Sequence, residues 1–188
     1  MVPGHRLLAV SLVSATLGIF VTATPATSAA DTTTTTSTGQ PSATGGAVPQ
    51  ACALLTPADL ESVLGGTVDA GDLTAAPRGG ETICQWTVVT AANGSGYSAQ
   101  LDVKTPFTSK EFKQQRQIAS GPTKAVRHLG DAAFSERAKV GRQVFDDLWV
   151  HTGDIAFRLE VLKDLGPKPL ERLAPVVLTN LANTTGNR

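Results

Sequence analysis

Residues 51–183 predict an α+β domain, a largely antiparallel sheet with helices packed on it. Three observations carry this. Two pairs of strand-like stretches, Glu81–Val89 with Tyr97–Lys104 and Gln143–Thr152 with Ile155–Leu162, are each joined by a short turn, and hairpin-linked strands run antiparallel. Three stretches carry helix signals, at Thr56–Leu64, Thr108–Ile118 and Pro167–Asn183, and each has an apolar side to bury against a sheet. Finally, the chain has only two cysteines, one ahead of the first helix and one inside the first long strand.

The first helix opens at Thr56 as N-cap, with Pro57 at the tolerated first position and Asp59 in the first turn. Leu55, Leu60, Val63 and Leu64 make its apolar stripe, and Gly65-Gly66 ends it. Asp69–Gly80, rich in Gly, Pro and Ala, reads as a loop. Glu81–Val89 is β-branched and aromatic, so it reads as a strand. Side chains alternate along a strand, which puts Cys84 and Trp86 on one face. Cys52 is the expected disulfide partner of Cys84, stapling the first helix to the sheet.

Ala91–Gly96, with Asn93-Gly94, is a turn. Tyr97, Ala99, Leu101 and Val103 then alternate with Ser98, Gln100, Asp102 and Lys104, the pattern of a strand with one buried face. Thr108 and Glu111 form a capping box, Phe112 and Ile118 mark the inner side of the second helix, and Gly121-Pro122 breaks it. Lys124–His128 reads as a short strand. Leu129–Phe134 reads as a tight turn into another, with Gly130 in a backbone conformation other residues avoid.

Gly153-Asp154 suits a two-residue II′ turn. That register pairs Thr152 with Ile155, Val150 with Phe157 and Leu148 with Leu159, so the apolar residues share a face. It also sets Trp149 opposite Arg158 on the other face. The last helix carries Leu170, Leu173, Ala174, Val177, Leu178 and Leu181 at helical spacing. Pro175 should kink its first turns unless the helix begins near Leu173, and the tail from Thr184 is expected to fray.

Ahead of the domain, residues 1–30 read as a secretory signal. Arg6 supplies the positive end, Leu7–Val21 the apolar region, and Ser28-Ala29-Ala30 the cleavage pattern before Asp31. The apolar run is shorter than the ~20 residues a bilayer span needs, so cleavage is expected rather than stable membrane insertion. Residues 31–49 form a Thr/Ser/Pro/Gly linker with too little apolar surface to offset the entropy of ordering, a tether across a cell wall or a plain spacer. Two cysteines in an exported chain favour one disulfide. Lys plus Arg and Asp plus Glu are 16 each, without the basic excess that nucleic acid or an anionic membrane demands.

The stretch Cys52-Ala-Leu-Leu-Thr-Pro-Ala-Asp-Leu-Glu-Ser-Val-Leu-Gly65 resembles the opening of a group of exported actinobacterial proteins of unknown function, many of them lipoproteins. Cys84-Gln-Trp86 is similar to that group's second cysteine motif, Leu129-Gly-Asp-Ala-Ala-Phe134 to its Gly-Asp turn, and Leu148–Val161 to its final hairpin. The resemblance spans nearly all of Ala51–Ala182. It implies a PsbP-like α/β/α sandwich with the two cysteines bonded, akin to extracellular sensor domains of bacterial receptor kinases. The chain departs from the group in lacking a lipid-attachment box and a transmembrane helix. The group has no general enzymatic activity that the resemblance could carry over.

The chemistry-bearing residues are few. His128 and His151 are the histidines of the domain, and no nucleophile elbow, P-loop or dinucleotide fingerprint occurs. No catalytic residue, metal site or cofactor is therefore assigned. Asp146, Asp147, His151 and Asp154 are close in sequence, but Asp146 and Asp147 fall on opposite faces of one strand, and the group reads as a solvated hairpin. Asp131 reads as a cap of its own turn. The one candidate site is Trp149 with Arg158, and His151 at its edge. It is either a platform for a planar or anionic ligand or a cation–π pair shielded under a helix. The expected function is a secreted, non-enzymatic binding or sensing module of the cell envelope. Its partner is a small molecule or an envelope protein of unknown identity. The alternatives are a structural or protein-interaction protein of the envelope and an enzyme of unrecognised type.

Overall fold

A computed structural model describes residues 48–75, 80–90 and 94–186. The signal, nearly all of the linker and Ala91–Asn93 of the first hairpin turn lie outside the described residues. The elements run α1 (Ala51–Leu54), α2 (Pro57–Leu64), β1 (Thr67–Val68), β2 (Asp72–Ala75), β3 (Glu81–Val89), β4 (Gly96–Lys104), α3 (Ser109–Gln117), β5 (Thr123–Val126), β6 (Ala132–Val140), β7 (Gln143–Thr152), β8 (Ile155–Val161) and α4 (Lys168–Gly186). The fold is α+β. Eight strands form one antiparallel sheet in the order β1-β3-β4-β8-β7-β6-β5, with β2 also pairing with β3.

Helices cover both faces. On one, Trp86, Leu101, Leu148, Phe157 and Leu159 pack with Leu54, Leu60, Leu170, Leu173 and Val177 of α1, α2 and α4. On the other, Phe112 of α3 packs with Phe134 and Trp149, and Phe107 joins them. The β7–β8 register pairs Thr152 with Ile155, Val150 with Phe157, Leu148 with Leu159 and Trp149 with Arg158, as the turn and the apolar pattern together require. Gly153 has φ +60°, the value a II′ turn asks of its first residue.

Cys52 and Cys84 form the disulfide, with Cα atoms 5.1 Å apart. Cys52 lies within α1, a short helix that precedes α2. Thr82 ties the same end down: its hydroxyl donates to Pro49 O (2.6 Å) and accepts from the Ala51 N–H (3.1 Å). Both capping boxes form, Thr56 with Asp59 and Thr108 with Glu111.

Six elements differ from their sequence reading, two of them, α1 and β1, being short stretches that reading does not contain. The expected loop 69–80 contains β2, whose backbone pairs with β3 although its composition is turn-like. The strand expected over Lys124–His128 runs from Thr123 to Val126, and His128 takes a left-handed φ of +68° that no strand continues through. β6 extends to Val140, because the backbone ladder with β7 holds the stretch 135–140, in which Ser135, Glu136, Arg137 and Lys139 interrupt both faces with polar side chains. The last helix runs from Lys168 to Gly186 straight through Pro175 and past Thr184. The missing Pro175 N–H costs one helical bond. Leu170, Leu173, Ala174, Val177 and Leu181, all buried on the sheet, outweigh that loss.

Candidate functional site

The sheet face under α3 is built as a grid, because cross-strand partners share a face. One row runs Asp102, Arg158, Trp149, Phe134 across β4, β8, β7 and β6. The next runs Gln100, Glu160, Asp147, Glu136 across the same strands. Beyond it lies the pair Phe145–Ala138. Phe112 seats α3 over the aromatic end of the grid, with its ring centroid 5.3 Å from Phe134 and 5.5 Å from His151. Between the acidic row and the segment Gln115–Ser120 a cavity of about 210 Å3 remains. Glu136 fixes one lip by accepting the Gly121 N–H at 2.9 Å. Ile118 and Val140, 66% and 63% exposed, also border it, two of the few large apolar side chains left open to solvent.

The charges of the grid are crowded and dry. Asp102, Glu136 and Asp147 are all buried. Arg158 holds Glu160 through Nη2 (3.0 Å) and lies 3.1 Å from Asp102 through Nε. Gln100 donates to the other Asp102 oxygen at 2.6 Å. The Arg158–Asp102 approach is too far off the N–H direction to be a hydrogen bond, and Arg158 Nε and Asp147 Oδ1, 4.0 Å apart, each lack a hydrogen-bond partner. Burial pushes the Asp147 carboxyl up to about 7, with repulsion from Glu160 and Glu136 adding to it and Arg158 opposing it. Burial likewise raises Asp102 against the pull of Arg158. For Arg158, burial works against the cation, but Asp102, Glu160 and Asp147 outweigh it and hold the guanidinium charged.

Trp149 and Arg158 meet as the register requires, with the guanidinium carbon 5.7 Å from the ring centroid. Lys104 Nζ lies 5.5 Å from the same ring and Phe134 stacks on it at 6.2 Å. Trp149 is 3% exposed, so its ring is occupied by protein and borders the cavity only at one side. His151 is equally buried. Its Nε2 lies 3.2 Å from Phe107 O, and it stands outside the cavity wall.

Of the hairpin group read as solvated, only Asp154 at the turn is exposed. Asp146 and His151 are buried, as is Asp147. Asp146 points to the opposite face, where it takes Arg137 Nε (2.8 Å) and the N–H groups of Leu165 (2.9 Å) and Gly166 (2.8 Å). Burial opposes its ionisation, but those hydrogen bonds prevail and hold it below the usual carboxylate range. Asp131 reaches away from its own turn to the one between β7 and β8. Its carboxylate accepts the Gly153 N–H at 2.7 Å and clips the two turns together.

Sequence reasoning named Trp149 and Arg158 and missed the acids around them, Asp147, Glu136, Glu160 and Asp102. The signal was present in Asp147, an acid between Phe145 and Trp149 on a strand face that α3 covers. Among the described residues, no group of three or more His, Cys, Asp or Glu side chains is arranged to hold a metal ion. No described helix is long and apolar enough to cross a membrane. Comparison with protein-family models, with curated proteins and with solved structures finds no match to this chain.

Proposed function

We propose that this domain is a non-enzymatic binding or sensing module of an exported cell-envelope protein, which takes a small molecule into the cavity between α3 and the sheet. The disulfide supports the exported setting, since such bonds persist in oxidising compartments. The observation that carries the reading is Asp147: a nine-tenths buried carboxylate on the cavity wall whose Oδ1 has no hydrogen-bond partner. Stable folds satisfy buried polar atoms, and exceptions concentrate at sites that serve something other than stability. About 210 Å3 is below the ~300–1,000 Å3 of drug-sized sites, so the occupant is small or inserts one end only.

Trp149 borders the cavity and reports on it. A panel of cationic, anionic and neutral small molecules, titrated against tryptophan fluorescence and thermal stability together, tests the proposal. At least one class is expected to change the emission saturably and to raise Tm. If every compound leaves both readouts flat, the binding-module reading fails.

A further inference from the structure

The charge around the cavity selects among ligand classes. Three carboxylates on its wall, Glu136, Asp147 and Glu160, face one guanidinium, that of Arg158. That guanidinium is already engaged, by Glu160 at Nη2 and by Asp102 at Nε. An anion entering here would meet three carboxylates, and the Arg158 donor that lacks a hydrogen bond, Nε, stands 3.1 Å from Asp102 with its charge already balanced by acids. A cation would meet Asp147 Oδ1, among the described residues the one fully buried carboxylate oxygen without a hydrogen-bond partner. The rest of the surround is apolar: Ala138 and Phe145 on the sheet, Ile118 and Ala119 after α3, and Val140 at the lip. This suits a charged head with a hydrocarbon body better than a bare metal ion.

We infer that the cavity binds a small organic ammonium ion, its head against the Asp147 carboxylate between Glu136 and Glu160, its apolar body against Ala138, Phe145 and the Ile118–Val140 lip. This rests on the binding-module reading and names its ligand class. Neighbouring groups set its pH dependence. Arg158 and Glu160 from β8 and Glu136 from β6 face Asp147, and Asp102 stands behind Arg158. The segment closing over them contributes Gln115 and Ser120, neither titratable. Burial and the two glutamates leave Asp147 half protonated near pH 7. A bound ammonium must displace that proton, so affinity rises from pH 6 to pH 8 and levels off above it.

The test titrates n-butylammonium, n-butyrate and 1-butanol into the protein at pH 8, read by NMR at the Trp149 indole and the Ala138 amide. Butylammonium is expected to shift both saturably, with butyrate and butanol at least tenfold weaker. Asp147→Asn is expected to weaken ammonium binding at least tenfold, about 1.4 kcal/mol, while raising Tm, because it removes a poorly solvated charge. Ile118→Lys, at an exposed position, leaves the fold intact and is expected to weaken ammonium binding severalfold by placing a second cation at the lip. Saturable shifts with butyrate or butanol as strong as with butylammonium would overturn the ammonium class and leave the cavity standing as a binding site. No shift with any of the three would overturn both. An Asp147→Asn protein that binds butylammonium as tightly as the parent would overturn the assignment of the head group to Asp147.

Discussion

Asp146 and Asp147 are adjacent in the chain and opposite in energetics. Asp146 accepts four hydrogen bonds that favour its charge, and its carboxyl sits low; Asp147 has burial and two acidic neighbours against it, and its carboxyl rises to about 7. Their linkage signs therefore differ. The depressed Asp146 contributes stability that is present above the ordinary carboxylate pKa and lost as pH falls through its lowered folded value. The raised Asp147 makes a contribution of the opposite sign, fully present below about pH 4 and lost as pH climbs through about 7. Asp146→Asn is expected to destabilise at pH 7 by about 1–3 kcal/mol. Asp147→Asn is expected to stabilise at pH 8 by a similar amount, about 1–3 kcal/mol, and to flatten the pH 4–7 slope. Denaturant melts of both variants across that pH range measure it. Arg158→Ala belongs beside them. It strips the cation from Asp102 and Glu160, so a loss of about 3 kcal/mol is expected. A melt unchanged from the parent would show that the acids do not depend on it.

At the scale of elements, α3 is the piece whose stability decides whether the cavity exists. Its sequence is mostly polar, and Phe112 is its only buried residue, so packing contributes little and the N-terminal cap matters in proportion. Thr108 and Glu111 satisfy each other's backbone N–H groups, and the Thr108 N–H and hydroxyl, both donating to the Glu111 carboxylate, hold it below its ordinary range. Thr108→Ala is expected to cost about 1 kcal/mol and to raise amide hydrogen exchange in Ser109–Gln117 more than in β7 or β8. Equal acceleration in all three would mean that α3 does not open independently of the sheet. The facing hairpin is anchored at its turn by close contacts. Gly130 at φ +55° packs directly on the His151 carbonyl, where any Cβ would collide, and Asp131 grips Gly153.

At the scale of the whole molecule, the disulfide spans 32 residues and ties α1 to the centre of β3. α1 has four residues and no side-chain cap, too little to hold its place unaided. Under the chain-entropy account, the bridge contributes about 3–4 kcal/mol, and much of what it secures is the packing of α1 and α2 on the sheet. Cys52→Ala with Cys84→Ala is expected to lower stability by that amount, measured by chemical denaturation. A loss under about 1 kcal/mol would show that Thr82 and the apolar contacts of Leu54 and Leu55 hold this end without it.

What the residues determine alone is local or periodic. Alternation placed Cys84 with Trp86 and Leu101 with Val103; turn chemistry set the β7–β8 register; Thr56 and Thr108 announced their helices. Each of these is settled within about ten residues, by backbone geometry that neighbours impose on each other. Strand β2 and the length of β6 were hidden because their hydrogen bonds come from β3 and β7 rather than from their own side chains. The helix through Pro175 was hidden because the sheet beneath it outweighs the local penalty. The acids of the cavity were hidden for the deepest reason. Glu136, Asp147, Glu160 and Asp102 belong to four different strands, and whether a carboxylate on a strand is solvated or buried depends on which helix lies over it. Only the tertiary structure puts α3 there, and with it the low dielectric that gives Asp147 its raised pKa and the cavity its charge.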